Sequence, residues 1–125
     1  MKMAKMKQNG TKRPWGHYHK IFQESGVWVK RVEVDPGERL SLQKHKHRSE
    51  NWMIVSGEGV VVVNNLTVTV TGGSVVDIPV GVIHRIANIG RRPLVFIEVA
   101  CGGKLTEEDI IRLQDDYVRG AKARK

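Results

Sequence analysis

The sequence has one cysteine, few aromatic residues and no long apolar run, and each shortage excludes a class of protein. Cys101 alone cannot form an internal disulfide, which fits a reducing cytoplasm. No run approaches the ~18 apolar residues of a membrane-spanning helix. The basic N-terminus also lacks the apolar stretch of a signal peptide. We therefore predict a cytoplasmic protein with no membrane contact.

Positive charge exceeds negative charge, with 21 Lys and Arg against 13 Asp and Glu and a formal net charge of +8. Much of the excess lies near the ends, in residues 2–13 and 119–125. Aromatic residues make up only 6% of the chain, so few side chains are available to stack on bases. We predict no nucleic-acid partner. A small anionic substrate, such as a phosphorylated metabolite, agrees equally well with the charge.

The length and the hydrophobic pattern predict one all-β domain. A chain of 125 residues is the size of a single domain. Short segments rich in β-branched residues recur between glycines and prolines, as in 27–34, 60–63 and 75–78. Such regular short strands favour a barrel or sandwich. We predict a flexible basic arm over residues 1–12 and a single domain over 13–125.

The C-terminal segment has a different pattern. Thr106 begins a capping-box sequence that runs to Asp109, and Ile110, Leu113 and Tyr117 follow at helical spacing. This predicts one short helix packed on the outside of the β domain.

Residues 36–57 (PGERLSLQKHKHRSENWMIVSG) carry a cluster of candidate metal ligands. Gln43, His45 and His47 alternate along a predicted strand, so their side chains are expected on one face. Glu50 follows shortly after. Neutral imidazole and carboxylate groups bind Zn, Fe, Ni, Mn or Co. The alternative is a solvent-facing polar strand with incidental histidines.

A second motif supplies one more histidine. Residues 73–88 read glycine, five residues, proline, one residue, glycine, two residues, histidine, three residues, asparagine. The glycines and the proline predict a tight turn before the strand that carries His84. His84 on a neighbouring strand would complete the metal site begun by the first cluster.

The two motifs together resemble those of the cupin superfamily, which pairs a histidine-histidine-glutamate motif with this second pattern. Within the cupins, the chain resembles the C-terminal domain of type II phosphomannose isomerases over residues 13–119. The blocks that carry this likeness are RPWGHY, VKRVEVDPGERLSLQKHKHRSENW, IPVGVIHRIANIG, PLVFIEVACG and EEDIIRLQDDYVR. The resemblance implies a double-stranded β-helix, or jelly-roll barrel.

The resemblance also implies a divalent metal cofactor, with zinc favoured over Mn, Co, Ni or Fe. The implied ligands are Gln43, His45, Glu50 and His84, with His47 either replacing Gln43 or supporting the site from outside the ligand set. The first motif departs from the cupin pattern. Only two residues separate His47 from Glu50, where three or four are usual.

The implied reaction interconverts mannose 6-phosphate and fructose 6-phosphate by proton transfer through an enediol. Glu50 is a candidate general base if it is not a ligand. Glu98 is the other candidate, and it is expected on the same strand face as Leu94 and Phe96. The candidates for binding the substrate phosphate are the cationic residues Lys30, Arg48, Arg85 and Arg119.

Two other functions remain open from the sequence. Histidines and a carboxylate also hold non-haem iron, which leaves an iron-dependent cupin dioxygenase. A sugar- or metabolite-binding cupin without catalysis is the other alternative. We expect a homodimer, because cupins often dimerise, and a separate guanylyltransferase is a candidate partner. Nothing in the sequence resembles a nucleotidyltransferase, so guanylyltransferase activity is not implied.

Overall fold

The computed structural model describes residues 10–117, and this part of the chain is built from strands without a helix. Accordingly, it contains no helix long and apolar enough to cross a membrane. The strands are β1 (Thr11–Arg13), β2 (Gly16–Glu24), β3 (Val27–Val34), β4 (Leu42–Lys44), β5 (Ser49–Ser56), β6 (Glu58–Val63), β7 (Leu66–Thr71), β8 (Val75–Ile78), β9 (His84–Asn88), β10 (Leu94–Cys101) and β11 (Ile111–Gln114).

The strands form two antiparallel sheets. The larger sheet has the order β1-β2-β3-β10-β5-β8, and the smaller has the order β11-β4-β9-β6-β7. Strand β10 lies between β3 and β5, with Glu98 opposite Lys30 on one side and Trp52 on the other. In the smaller sheet, Gln43 is opposite His84. These registers bring the polar residues of both predicted motifs into the space between the sheets.

The alternation of side chains explains why charged residues lie inside. Along β3, every second residue from Trp28 to Val34 is buried, as a strand with one inward face requires. Lys30 occupies one of these inward positions and is buried. On β10, Glu98 follows Leu94 and Phe96 on the inward face, as predicted. The interior therefore has an apolar end and a charged end.

The apolar end is the core on which the site rests. It includes Val34, Ile54, Ile86 and Leu94, each almost fully buried. Trp52 lies at the boundary, with its ring centroid 4.7 Å from that of Phe96 and 5.7 Å from that of His84. One indole thus packs against both the core and a candidate ligand, which restricts the rotamers open to His84.

The prediction of a C-terminal helix is wrong. Residues 106–109 form a turn, closed by the Asp109 amide donating to the Thr106 carbonyl, and β11 follows. Strand β11 pairs with β4, which would otherwise leave an unpaired sheet edge. Hydrogen bonds across that edge satisfy backbone groups that a local helix would leave exposed on β4. The long-range pairing outweighs the local capping signal.

The predicted flexible arm over residues 1–12 lies mostly outside the described residues, since the description begins at Gly10. The last part of that range is not an arm, because Thr11 and Lys12 pair with Tyr18 and His17 in the β1–β2 hairpin.

Two glycines with similar backbones offer a test of the fold. Gly57 (φ +96°) joins β5 to β6, and a Cβ there would lie 2.7 Å from the Pro93 carbonyl oxygen. Gly73 (φ +94°) has no atom within 4 Å of its Cβ position. We expect Gly73→Ala to lower the free energy of unfolding by about 1–2 kcal/mol through backbone strain. Gly57→Ala should lower the free energy of unfolding by about 1–3 kcal/mol more, because the added Cβ clashes with the Pro93 carbonyl.

Urea unfolding of the two variants measures this difference directly. Equal losses at the two positions would show that the close approach between the β5–β6 turn and Pro93 is absent.

Candidate metal centre

Three buried side chains from separate parts of the fold form the centre: His45 after β4, Glu50 on β5 and His84 on β9. One ligand atom from each lies within 4.8 Å of the others. His45 Nε2 is 3.2 Å from Glu50 Oε2, and the two imidazole centroids are 5.0 Å apart. Among the described residues, this is the group of histidines and acids that could hold a metal ion.

Both histidines are held in the tautomer that suits a ligand. His45 Nδ1 lies 2.7 Å from the Asp109 carbonyl oxygen, and His84 Nδ1 lies 2.9 Å from the Val82 carbonyl oxygen. Because a carbonyl only accepts hydrogen bonds, each Nδ1 must donate its proton. Each Nε2 then carries the lone pair, as in metal-binding imidazoles. The Arg48 guanidinium lies 3.4 Å from the Nε2 of His45, so a metal ion would displace this contact.

Burial favours the neutral form of the two imidazoles. It lowers the pKa of His45 and of His84 below the ordinary value, although Glu50 acts in the opposite direction. Burial alone would raise the pKa of Glu50, but His45 and Arg48 bring it below its ordinary value. Two neutral imidazoles and an ionised carboxylate are the protonation states that a divalent metal needs. The donor set therefore fits a metal ion.

Gln43 lies beside this group, and His47 does not. Gln43 is buried, and its amide nitrogen lies within 3.2 Å of the Ser41 hydroxyl and carbonyl oxygens. The chain leaves the strand after Lys44, so His47 is exposed, and its backbone amide donates to the Asp109 carboxylate. The expectation that His47 shares a face with His45 is wrong, because the alternation ends with the strand.

The spacing agrees with this placement when it is counted from His45. Four residues separate His45 from Glu50, which is within the usual gap of three or four. Gln43 therefore takes the position of the first cupin histidine, and the irregular gap after His47 disappears. This gap was the signal that could have distinguished Gln43 from His47.

A second carboxyl, that of Glu98, is buried and lines the same cavity as the metal centre. Its Oε2 accepts a hydrogen bond of 2.8 Å from the Trp28 indole nitrogen. Burial first, and the negative charge of Glu50 second, raise the pKa of Glu98 to about 8. The two candidate bases thus differ, with Glu50 ionised among the ligands and Glu98 able to exchange a proton near neutral pH.

The raised pKa of Glu98 predicts how stability depends on pH in the metal-free protein. The folded state keeps this proton up to about pH 8, whereas the unfolded chain releases it near 4.5. The folded state therefore binds more protons in this window, and the free energy of unfolding must fall as pH rises. The lowered pKa values of His45 and His84 act in the opposite direction, but only below their ordinary value of 6.5.

We expect urea unfolding between pH 6.5 and 8 to show this fall, and Glu98→Gln to remove it. One titrating proton contributes at most about 1.4 kcal/mol per pH unit. If the free energy of unfolding changed with pH in the same way in the parent protein and in Glu98→Gln, the pKa of Glu98 would not be raised.

Arg119 apart, three cationic residues were predicted for phosphate binding, and Lys30 and Arg48 line the cavity. The Lys30 ammonium lies 2.7 Å from Glu107 Oε2. Arg48 is engaged internally, because its guanidinium donates to Glu50 Oε2 at 2.8 Å and to the Thr106 carbonyl at 3.1 Å. A phosphate would have to compete with these partners.

The third of these cations, Arg85, is not brought to the cavity. Arg85 alternates with His84 and so faces away from the metal centre, donating to the Leu40 carbonyl and to Gln114. Its guanidinium connects β9 to β11 instead of lining the cavity. Arg119 lies outside the described residues, so its role stays a prediction.

Sequence reasoning missed two arginines that line the cavity, Arg13 and Arg112. They lie in the RPWGHY and EEDIIRLQDDYVR blocks, near opposite ends of the chain. Arg13 stands over the Tyr18 ring, with the guanidinium carbon 5.3 Å from the ring centroid. Their place in those blocks was a signal, but only the fold shows that β1 and β11 meet the same cavity.

The fold and the metal centre together define a cupin. The cupin domain of Cnp3 from Schizosaccharomyces pombe has the same fold, with a TM-score of 0.65 at 20% identity, covering 79% of this chain and 69% of that one. CapF from Staphylococcus aureus, a capsular polysaccharide assembling protein, matches with a TM-score of 0.73 at 25% identity, covering 83% of this chain and 33% of its own.

The chain belongs to the mannose-6-phosphate isomerase C-terminal family, whose model matches residues 2–115. It is 44% identical over 110 residues to the alginate biosynthesis protein AlgA of Pseudomonas aeruginosa, covering 88% of this chain and 23% of AlgA. It is 41% identical over 107 residues to mannose-1-phosphate guanylyltransferase ManC of Salmonella typhimurium, covering 86% of this chain and 22% of ManC. It thus spans less than a quarter of these relatives.

Proposed function

We propose that the protein is a metal-dependent isomerase that interconverts mannose 6-phosphate and fructose 6-phosphate. The observation that carries the proposal is the buried carboxyl of Glu98, whose pKa is raised to about 8 and which lines the same cavity as His45, Glu50 and His84. Aldose–ketose isomerisation needs a group that takes up and returns a proton near neutral pH. The family and the cations of the cavity support a phosphorylated sugar as substrate.

The metal ligands are proposed to be His45, Glu50 and His84, with the side-chain oxygen of Gln43 as a fourth candidate. A divalent cation held there supplies positive charge that polarises sugar oxygens and stabilises the charge developing on them. Zinc is the favoured ion, since imidazole and carboxylate ligands suit it well. A metal ion would share the Glu50 carboxylate with Arg48 and Trp52, which donate to its two oxygens.

Glu98 is the proposed base. Trp28 holds its Oε2, which leaves Oε1 to accept the proton from C2 of the open-chain aldose and to deliver a proton to C1 of the enediol. The hydroxyl proton of O2 passes to O1 in the same conversion. Glu50 is less suited to this step, because Arg48 and Trp52 occupy its two oxygens at 2.8 and 3.0 Å. In the metal-free protein the pKa of Glu98, raised to about 8 by burial, lies near physiological pH, where general acid–base catalysis is most efficient.

The phosphate is proposed to bind Arg13, Lys30 and Arg112 at the cavity wall. Glu107 already neutralises Lys30 through a 2.7 Å contact, so a phosphate dianion must displace this carboxylate or share the ammonium with it. Guanidinium groups bind phosphate oxygens bidentately, which favours a phosphorylated over a neutral sugar.

Arg13→Gln is expected to raise the KM for mannose 6-phosphate about 10- to 100-fold with a smaller change in kcat. Loss of a hydrogen bond to a charged group removes about 1.5–3 kcal/mol of binding. Steady-state kinetics measure the effect, and Arg31→Gln is the matched control because Arg31 alternates with the inward residues of β3 and pairs with Glu33. An unchanged KM in Arg13→Gln would remove Arg13 from the phosphate site.

The proposed reaction is tested by giving the purified protein Zn, Mn or Co and mannose 6-phosphate, and following fructose 6-phosphate with a coupled enzyme. Mannose without the phosphate serves as the control substrate. Thermal stabilisation by mannose 6-phosphate without product would instead identify a binding protein. Copurified iron with oxygen uptake on a small organic substrate would identify a dioxygenase.

A further inference from the structure

One residue of the C-terminal segment, Asp109, holds the loop that carries His45. This loop, residues 45–48, lies between β4 and β5 and has no strand partner of its own. The Asp109 carboxylate accepts hydrogen bonds from the Lys46 amide at 2.8 Å and from the His47 amide at 2.9 Å. Asp109 is buried although it lies far along the chain from the loop.

The backbone of the same residue contacts the candidate ligand. The Asp109 carbonyl accepts the Nδ1 proton of His45 at 2.7 Å, and Arg48 donates to that carbonyl at 3.3 Å. The carboxylate therefore fixes the loop backbone, and the carbonyl fixes the imidazole that the loop presents. The two contacts act together, because the carboxylate sets where the carbonyl lies.

We propose that Asp109 is a positioning residue for the metal centre: it orients His45 and fixes the tautomer in which Nε2 is the ligand atom. This inference rests on the metal site of the proposed function, but not on its reaction. Partners that orient a ligand histidine commonly change metal affinity 10- to 100-fold when they are altered. The turn of residues 106–109 and β11 are thus part of the metal site, although they contribute no ligand.

The segment also connects metal binding to the cavity wall. Glu107, Ile110 and Arg112 line the cavity on either side of Asp109. Asp109 contacts the His45 loop only when this segment is docked against it. Metal binding that stabilises the loop therefore also stabilises the docked segment, by linkage. Metal binding and the docking of this wall therefore favour each other.

Asp109→Asn is the sharpest test because it keeps the size of the side chain. An amide offers one acceptor to two backbone donors, so one of the two contacts with the loop is lost or becomes repulsive. We expect Zn²⁺ or Co²⁺ affinity, measured by competition with a chelator, to fall about 10- to 100-fold. Glu108→Gln is the matched control, since Glu108 is the exposed neighbour, and it should bind as the parent protein does.

A second measurement needs no variant. In long-range ¹H–¹⁵N spectra of the zinc-loaded protein, His45 should carry its proton on Nδ1 and bind zinc through Nε2. Binding of His45 through Nδ1, or a folded Asp109→Asn variant with affinity within threefold of the parent, would overturn the inference.

The outcomes separate this inference from the proposed function. Metal binding without isomerase activity, together with weakened binding in Asp109→Asn, would reject the reaction and support the positioning role. Isomerase activity in the parent protein, together with unchanged metal affinity in Asp109→Asn, would support the reaction and reject the positioning role. A parent protein that binds no metal would overturn both.

Discussion

Glu98→Gln is expected to lower kcat for mannose 6-phosphate isomerisation by about 10²- to 10⁴-fold, the usual contribution of a general acid–base group. Glutamine keeps the size and the hydrogen bond from Trp28 but cannot carry the proton. The variant should therefore fold normally and retain its metal, since Glu98 lies outside the ligand group. Substrate binding should change little, because the cations of the cavity remain.

The measurement is steady-state kinetics beside metal analysis of the same preparation. Glu24→Gln, at the exposed end of β2, makes the same chemical change away from the cavity and should keep full activity. If Glu98→Gln loses less than tenfold in kcat, Glu98 is not the base, and Glu50 would have to be tested in its place.

His84→Ala is expected to lose the metal and, with it, isomerase activity to the level of the uncatalysed reaction. His84 is almost fully buried and provides one of three grouped ligands, so His45 and Glu50, even with Gln43, cannot hold the ion strongly. Bound zinc per chain, measured on the purified protein, should fall from near one to near zero. Because the substitution also opens a cavity beside Trp52, circular dichroism should confirm that the variant is folded.

His47→Ala is the matched control for this experiment. It removes an imidazole from the same motif, but one that is exposed and outside the ligand group. Metal content and activity should both stay close to those of the parent protein. Loss of metal in His47→Ala with retention in His84→Ala would mean that the ligand set is misassigned.

The segments 27–34, 60–63 and 75–78 were predicted as strands because each has a clear local pattern, and they lie in β3, β6 and β8. Residues 27–34 alternate in hydrophobicity and form β3 over Val27–Val34, and the inward position of Lys30 follows from that alternation. The prediction for the C-terminal segment failed because its local pattern is helical, whereas in the fold it forms β11 and pairs with β4. No property of residues 106–114 alone reveals that partner.

The metal centre was only partly predictable, for a similar reason. His84 and His45 follow from their motifs, and the structure groups them with Glu50. His47 was placed beside them by extending strand alternation past Lys44, where the strand ends. Asp109 could not be found, because its contacts with the His45 loop join residues more than sixty positions apart.

The most direct test of the proposed chemistry is isomerisation in D₂O, followed by NMR. The zinc-loaded protein is given mannose 6-phosphate, with Glu98→Gln as the control. Proton transfer by a side chain that exchanges with solvent predicts fructose 6-phosphate with deuterium at C1, and little or no product from the variant. Absence of product, or product formed by Glu98→Gln as fast as by the parent protein, would contradict the assignment of Glu98 as the base of a sugar-phosphate isomerase.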